Sequence, residues 1–250
     1  MTVAFFALAL GLTWLLDVPM ILAHSSGAKP GGLAMLAAGL GAWGPTFAML
    51  IVTRGKPGLR WRTNPLWIFA GLAVTPALHL CATLGEVALG GQPAHWFYPP
   101  VQPEHVAALV MFSVGEELGW RGFAYGRVVQ SRGPITGALI LGALWTIWHL
   151  GMWLAQGLPA PDVLLFGLVE LMAGSVFIAW FFEKSGRSMV VAIALHAGGH
   201  LDNVNRGPAD EVRLRVLRMI VYVLAAIVAG RALKKLYAQS SEPRPTASGT

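Results

Sequence analysis

Charged side chains are scarce in this chain: Asp, Glu, Lys and Arg make up 12% of its 250 residues, while 55% are hydrophobic and the mean hydropathy is +0.60. A soluble domain carries about twice that charge, so the composition points to an integral membrane protein. Alternating ten-residue strand patterns are missing, which argues against a barrel and leaves helices, the other architecture that satisfies its backbone inside a bilayer. Cysteine is nearly absent. The single Cys81 excludes an intrachain disulfide and, lying in an apolar run, reads as a small packed residue. No His-Glu-x-x-His occurs, which argues against a zincin-type site, and no Gly-x-Ser-x-Gly elbow supports a serine nucleophile. Before the apolar run that begins at Val3 there is neither a basic region nor a small-residue cleavage site, so the first helix is expected to be retained.

What is present is a series of long apolar segments. At about 20 residues per span, helices are expected near 4–23, 32–53, 65–84, 104–126, 134–155, 163–182, 189–205 and 214–233. The expected fold is thus all-α, a polytopic membrane helical bundle of about eight transmembrane helices with a polar site inside it. Residues 1–235 form one transmembrane domain, and the polar, proline-containing stretch 236–250 is expected to be a disordered cytoplasmic tail. The net charge of +6 and pI near 9.9 do not imply nucleic acid, because the bases are spread among short loops. Arg54, Lys56, Arg60 and Arg62 follow the second segment, Arg127 and Arg132 the fourth, Lys184 and Arg187 the sixth, and Arg231, Lys234, Lys235 and Arg244 the last. The other side holds Lys29, Arg206, Arg213, Arg215 and Arg218. By the positive-inside rule both termini are expected in the cytoplasm, and the Gly- and Ala-rich style points to a bacterial plasma membrane. The loop from Gly85 to Glu104, with Trp96, Tyr98, Pro99 and Pro100, reads as an interfacial aromatic segment on the outer face.

Ionised groups in hydrocarbon need a reason, at about 2.5–3.5 kcal/mol each on insertion scales. The fourth segment nevertheless carries Gly115-Glu116-Glu117-Leu118-Gly119-Trp120-Arg121. Glu117 and Arg121 are four apart on one face, acid before base, the favourable order for a pair. Glu116 is turned about 100° from Glu117 and about 140° from Arg121, so that pairing leaves it as the unpaired carboxylate, a candidate general base. The bland alternative is a charged clamp between helices. The fifth segment brings Trp145-Thr146-Ile147-Trp148-His149 and the seventh His196-Ala197-Gly198-Gly199-His200. Histidines four apart share a helix face, the spacing of helical zinc sites. The small residues between them permit close backbone approach and leave room beside the imidazoles, and tight helix packing favours the same residues.

The Glu116-Glu117-x-x-x-Arg121 motif, an aromatic four residues before His149, and His196 with a polar residue four further on resemble, in this order, the CPBP family of membrane proteases. That group includes the type II CAAX prenyl endopeptidases and the bacterial abortive-infection-like proteins. The resemblance covers a protease core of roughly 104–205. It implies an intramembrane endopeptidase that hydrolyses a peptide bond of a membrane-embedded or membrane-associated peptide in contact with the lipid bilayer, with Glu116, Glu117, Arg121, His149, His196 and His200 as its catalytic set. Glu116 and His149 would activate a water, and His196 and His200 would stabilise the oxyanion. In the alternative form, Glu116, His149, His196 and His200 hold a zinc ion that activates the water. Trp145 stands where the family commonly has Phe, and His200 where it usually has Asn or Asp. Asn203 is a less favoured substitute one turn on. The resemblance names no physiological substrate, cleavage site or oligomeric state.

Other intramembrane polar residues have plainer expectations. Asp17, just before Pro19, pairs with a neighbour or caps a helix break; His79 is structural; Asp202 pairs with Arg206. Glu170 either orients a histidine or bonds a neighbouring helix, and Trp145, Trp148 and Trp153 line a groove or simply pack. Two other functions compete. One is a catalytically silent scaffold or maturation factor; the other is an ion-coupled carrier, against which stands the lack of internal repeats and paired broken helices.

Overall fold

The computed structural model describes residues 1–92, 96, 102–201 and 212–241. Its helices are α1 (Thr2–Ser25), α2 (Gly32–Gly41), α3 (Gly44–Thr53), α4 (Pro65–Ala88), α5 (Pro103–Gly119), α6 (Gly126–Arg132), α7 (Pro134–Trp148), α8 (Leu150–Gln156), α9 (Pro161–Lys184), α10 (Met189–His200) and α11 (Val212–Ser241). A π-helical turn, Trp120–Tyr125, joins α5 to α6. Among the described residues there is no strand, only one isolated bridge between Arg60 and Ser188. Helices α4, α5, α7 and α9 open on proline, whose missing N–H costs nothing in the first turn. The chain is an all-α membrane bundle, and its outward faces are apolar, with Leu15, Leu33, Phe69 and Val228 all well exposed. In water such a surface is unfavourable, whereas acyl chains match it.

The expected eight spans are not confirmed. Among the described residues, five helical stretches are long and apolar enough to cross a membrane, Thr2–Ser25, Pro65–Ala88, Pro134–Gln156, Pro161–Lys184 and Val212–Gln239, and the α2–α3 pair, bent by 53°, makes a sixth if counted as one span. Two of the segments that fall short carry Glu116, Glu117 and Arg121, and His196 and His200. Helix α5 has 17 residues and carries the glutamates, and α10 has 12, about 18 Å of helix against a hydrocarbon core of about 30 Å. Helix α11 runs on to Ser241, past the domain end expected at 235; residues 242–250 of the expected tail lie outside the described residues. So do Tyr98, Pro99, Pro100, Asp202, Asn203 and Arg206. Cys81, expected to be packed, is exposed on α4.

Two glycines set the approach of the motif helices. A Cβ at Gly119 would collide with the backbone of Pro45, so α5 lies directly on α3, where Thr46 Oγ1 also donates to the Gly115 carbonyl at 2.6 Å. A Cβ at Gly198 would sit 2.6 Å from the Leu72 carbonyl oxygen, so α10 lies directly on α4, as the small residues between His196 and His200 predict. The core centres on the π turn, whose Trp120, Phe123 and Tyr125 are fully buried. Phe5 of α1 packs on Trp120 and Phe123 with ring centroids 5.8 and 4.8 Å away, and Trp120 meets Trp148 edge-on at 6.2 Å. On the other side of α1, Thr13 Oγ1 donates to the Gly41 carbonyl and accepts from Trp148 Nε1, both at 2.7 Å. Asp17 is buried beside Gly41 and Gly151, and its Oδ2 has no hydrogen-bond partner among the described residues.

Candidate active site

Glu117 lies one turn before the π turn and is fully buried. Its Oε1 accepts from Arg121 Nη1 at 2.7 Å, the pairing that the four-residue spacing predicts. The same oxygen also accepts from His196 Nδ1 of α10 at 2.8 Å. That second bond is not foreseeable from the helix alone. It joins α5 to α10 and fixes the proton of His196 on Nδ1, since an ionised carboxylate only accepts. The His196 Nε2 then faces His200 Nε2 at 3.0 Å, so one hydrogen lies between the two rings.

Glu116 points elsewhere, as its rotation from Glu117 requires. Its Oε2 accepts from the indole Nε1 of Trp145 at 2.7 Å, while its Oε1 lies 3.8 Å from His196 Nε2. That gap is too long for a direct hydrogen bond and short enough for one bridging water. Trp145 is the residue of this cluster whose part the sequence does not reveal. In the sequence it is the aromatic four residues before His149; in the structure its N–H aims the Glu116 carboxylate, and Arg121 Cζ lies 4.7 Å above its ring. Trp145→Phe keeps the bulk and removes the donor; we expect it to lower the unfolding free energy by about 1.5–3 kcal/mol, the range for a hydrogen bond to a charged group. Reversible unfolding in mixed micelles checks this, and a change below about 0.5 kcal/mol would mean that the indole N–H does not hold the carboxylate.

His149 sits at the break between α7 and α8. Its Nδ1 lies 2.8 Å from the Trp145 carbonyl oxygen, which can only accept, so Nδ1 carries the proton and Nε2 keeps a lone pair. Trp148 meets the ring edge-on at 4.8 Å and Trp153 stacks at 5.8 Å. Among the described residues no hydrogen bond joins His149 to Glu116. Instead His149, His196 and His200 share the wall of a cavity of about 270 Å³, with Trp145, Trp153 and Gly199 beside them. Gly199 thus leaves the room near the imidazoles that its size predicts. Glu170 also lines this cavity and lies 3.7 Å from Arg218 of α11, a contact between neighbouring helices. His79 is buried, with Nε2 3.0 Å from Tyr222 Oη.

Of the zinc set anticipated from Glu116, His149, His196 and His200, Glu116 Oε1 lies 3.8 Å from His196 Nε2 and His196 Nε2 lies 3.0 Å from His200 Nε2. Among the described residues no group of three or more His, Cys, Asp or Glu side chains is arranged to hold a metal ion. In this structure the Nδ1 atoms of His149 and His196 are engaged, His196 and His200 direct Nε2 at each other, and Glu116 gives Oε2 to Trp145.

Over 127 residues the chain is 21% identical to CAAX prenyl protease 2 of Methanococcus maripaludis, a match covering 48% of this chain and 47% of that protein. The chain therefore spans about half the length of this relative. Residues 102–201, which carry all six motif side chains, match the family of type II CAAX prenyl endopeptidases, Rce1-like, as the order of the motifs implies.

Proposed function

We propose that this chain is an intramembrane endopeptidase that hydrolyses a peptide bond of a membrane-associated substrate with a water activated by Glu116. One observation carries the reading: Glu116 is held through Oε2 by Trp145, and its Oε1 is 3.8 Å from a His196 ring locked by Glu117. A carboxylate fixed at one oxygen keeps the other for proton transfer. A water beside Oε1 gives its proton to Glu116 as its oxygen attacks the scissile carbonyl carbon. The C–N bond then breaks, and the same proton passes from Glu116 to the leaving amine. The lone pair on His149 Nε2 accepts the water's second hydrogen and orients it. The hydrogen between His196 and His200 is the donor that turns to the developing oxyanion, in the place the family usually gives to an amide side chain. Glu117 and Arg121 act as positioning residues by holding His196.

The same cluster also ties α5, α7 and α10 together, which is what a silent scaffold would need. A cleavage assay separates the two. In detergent micelles with a membrane-anchored peptide reporter, the parent protein is expected to cleave, and His149→Ala to be slower by about 10²-fold or more, the range for a lost acid–base partner. Zinc measured on the same samples is expected to be far below one ion per chain. Near-stoichiometric zinc that disappears in His149→Ala or His196→Ala would replace this mechanism by the metal-bound one, and a well-folded parent that cleaves no peptide would favour the scaffold.

A further inference from the structure

A second cavity, of about 600 Å³, shares no lining residue with the histidine cavity. Four arginines from four separate segments meet around it: Arg60 from the stretch after α3, Arg121 from the π turn, Arg127 from α6 and Arg187 from the link between α9 and α10. One carboxylate, Glu183, stands among them. It is committed to Arg187, taking Nε at 3.0 Å and Nη2 at 2.7 Å. Arg121 gives Nη1 to Glu117, while its buried Nη2 has no hydrogen-bond partner among the described residues. Arg127 lies 3.6 Å over the Phe123 ring and donates Nη1 to the Phe123 carbonyl. Neither Arg60 nor Arg127 has a carboxylate partner among the described residues. The cavity therefore carries a surplus of positive charge.

The backbone adds a second observation. Arg187 has φ +61°, a conformation that glycine adopts freely and a branched chain resists, and it follows Gly186 at φ +76°. It is held there by its N–H on the Phe182 carbonyl at 2.7 Å and by the two-point grip of Glu183. A costly backbone that presents a guanidinium to a cavity suits a binding site. The rest of the lining is compatible with a bulky ligand, since Leu59, Phe123, Phe182 and Met189 form an apolar part beside the charges. Arg60, Arg127 and Arg187 also belong to the three loop groups that the charge pattern places on one side of the membrane, where anionic headgroups attract bases.

We propose that this four-arginine cavity is a binding site for a phosphate group, presented either by an anionic phospholipid head or by a free phosphate. Planar guanidinium forks match the paired oxygens of phosphate better than they match a halide, which gives the site its chemistry. The proposal stands apart from the peptidase reading, and its test reads binding only.

The protein is placed in phosphatidylcholine nanodiscs, and its melting temperature is followed during titration with sodium phosphate, against sodium chloride at equal ionic strength. A parallel arm replaces part of the phosphatidylcholine by phosphatidylglycerol. The parent protein is expected to melt higher with phosphate, with phosphatidylglycerol, or with both; a rise with phosphatidylglycerol alone assigns the lipid, and a rise with phosphate in pure phosphatidylcholine assigns the free ion. The Arg60→Gln/Arg127→Gln double variant is expected to need about tenfold more ligand or to lose the rise, whereas Arg132→Gln, exposed and outside the cavity, keeps it. Arg127→Gln alone is scored in the same way, so a double variant that fails to fold leaves the test intact. No rise from either source, or an equal rise in the variants that lack the cavity arginines, overturns the proposal.

Discussion

Glu116→Gln is expected to abolish peptide hydrolysis while leaving the bundle folded. The amide is nearly isosteric, and its oxygen still accepts the Trp145 N–H that Glu116 Oε2 takes at 2.7 Å, so the link between α5 and α7 survives. What is lost is the ability to take a proton from water and return it to the leaving amine. The fall in kcat should be about 10²- to 10⁴-fold, the range for a positioned general base. Unfolding in mixed micelles should be close to that of the parent. Cleavage at more than about a tenth of the parent rate would remove Glu116 from the mechanism, because no other side chain described here is aimed in the same way.

Arg121→Leu should do the reverse, acting on the fold first. The guanidinium and the Glu117 carboxylate are both almost fully buried, 2.7 Å apart. Removing one partner leaves a buried charge uncompensated, at a cost of about 3–5 kcal/mol. Glu117 would keep only His196, whose ring is less able to carry the balancing charge. The variant is expected to unfold at markedly lower denaturant or to be recovered poorly from membranes. Combining it with Glu117→Gln should restore a good part of the stability, since both charges are then gone and the amide still reaches His196. If Arg121→Leu alone unfolds like the parent, the pair is not what makes the charged segment tolerable. Two neighbouring glutamates thus differ by experiment: substitution at Glu116 removes chemistry, and breaking the Glu117 pair removes the fold.

The parts of this molecule legible in the sequence were those with a fixed local geometry. Hydropathy marks the long helices, and the four-residue spacing of Glu117 and Arg121 fixes their pairing because both lie on one helix. The gap between Glu116 and Trp145 belongs to two helices. Its closing depends on how far each is rotated, which is why the indole N–H was not anticipated as the group that aims the carboxylate. His196 bonding to Glu117 rather than to Glu116 has the same origin. The expected count of eight spans rests on each apolar segment crossing the bilayer, and length and composition bear out five or six of them among the described residues. Cys81 fails as a packed residue because it lies on the side of α4 that, with Leu80 and Leu84, faces outward, while His79, Ala82 and Thr83 turn inward. The four arginines of the second cavity come from three distant stretches, at Arg60, Arg121 to Arg127 and Arg187, and spacing along the chain does not reveal their meeting.

The π-helical turn from Trp120 to Tyr125 follows directly on the glutamates and fits one more residue into the turn than an α-helix would. A chain that lost a single residue there would keep its hydrophobic profile and every motif, yet its helix would revert to α and everything beyond would swing by about 100° relative to Glu116 and Glu117. Among related chains, then, a one-position gap between the glutamate doublet and residue 126 is expected to mark loss of this arrangement around Glu116 and Glu117, visible in an alignment even where all six motif side chains are retained.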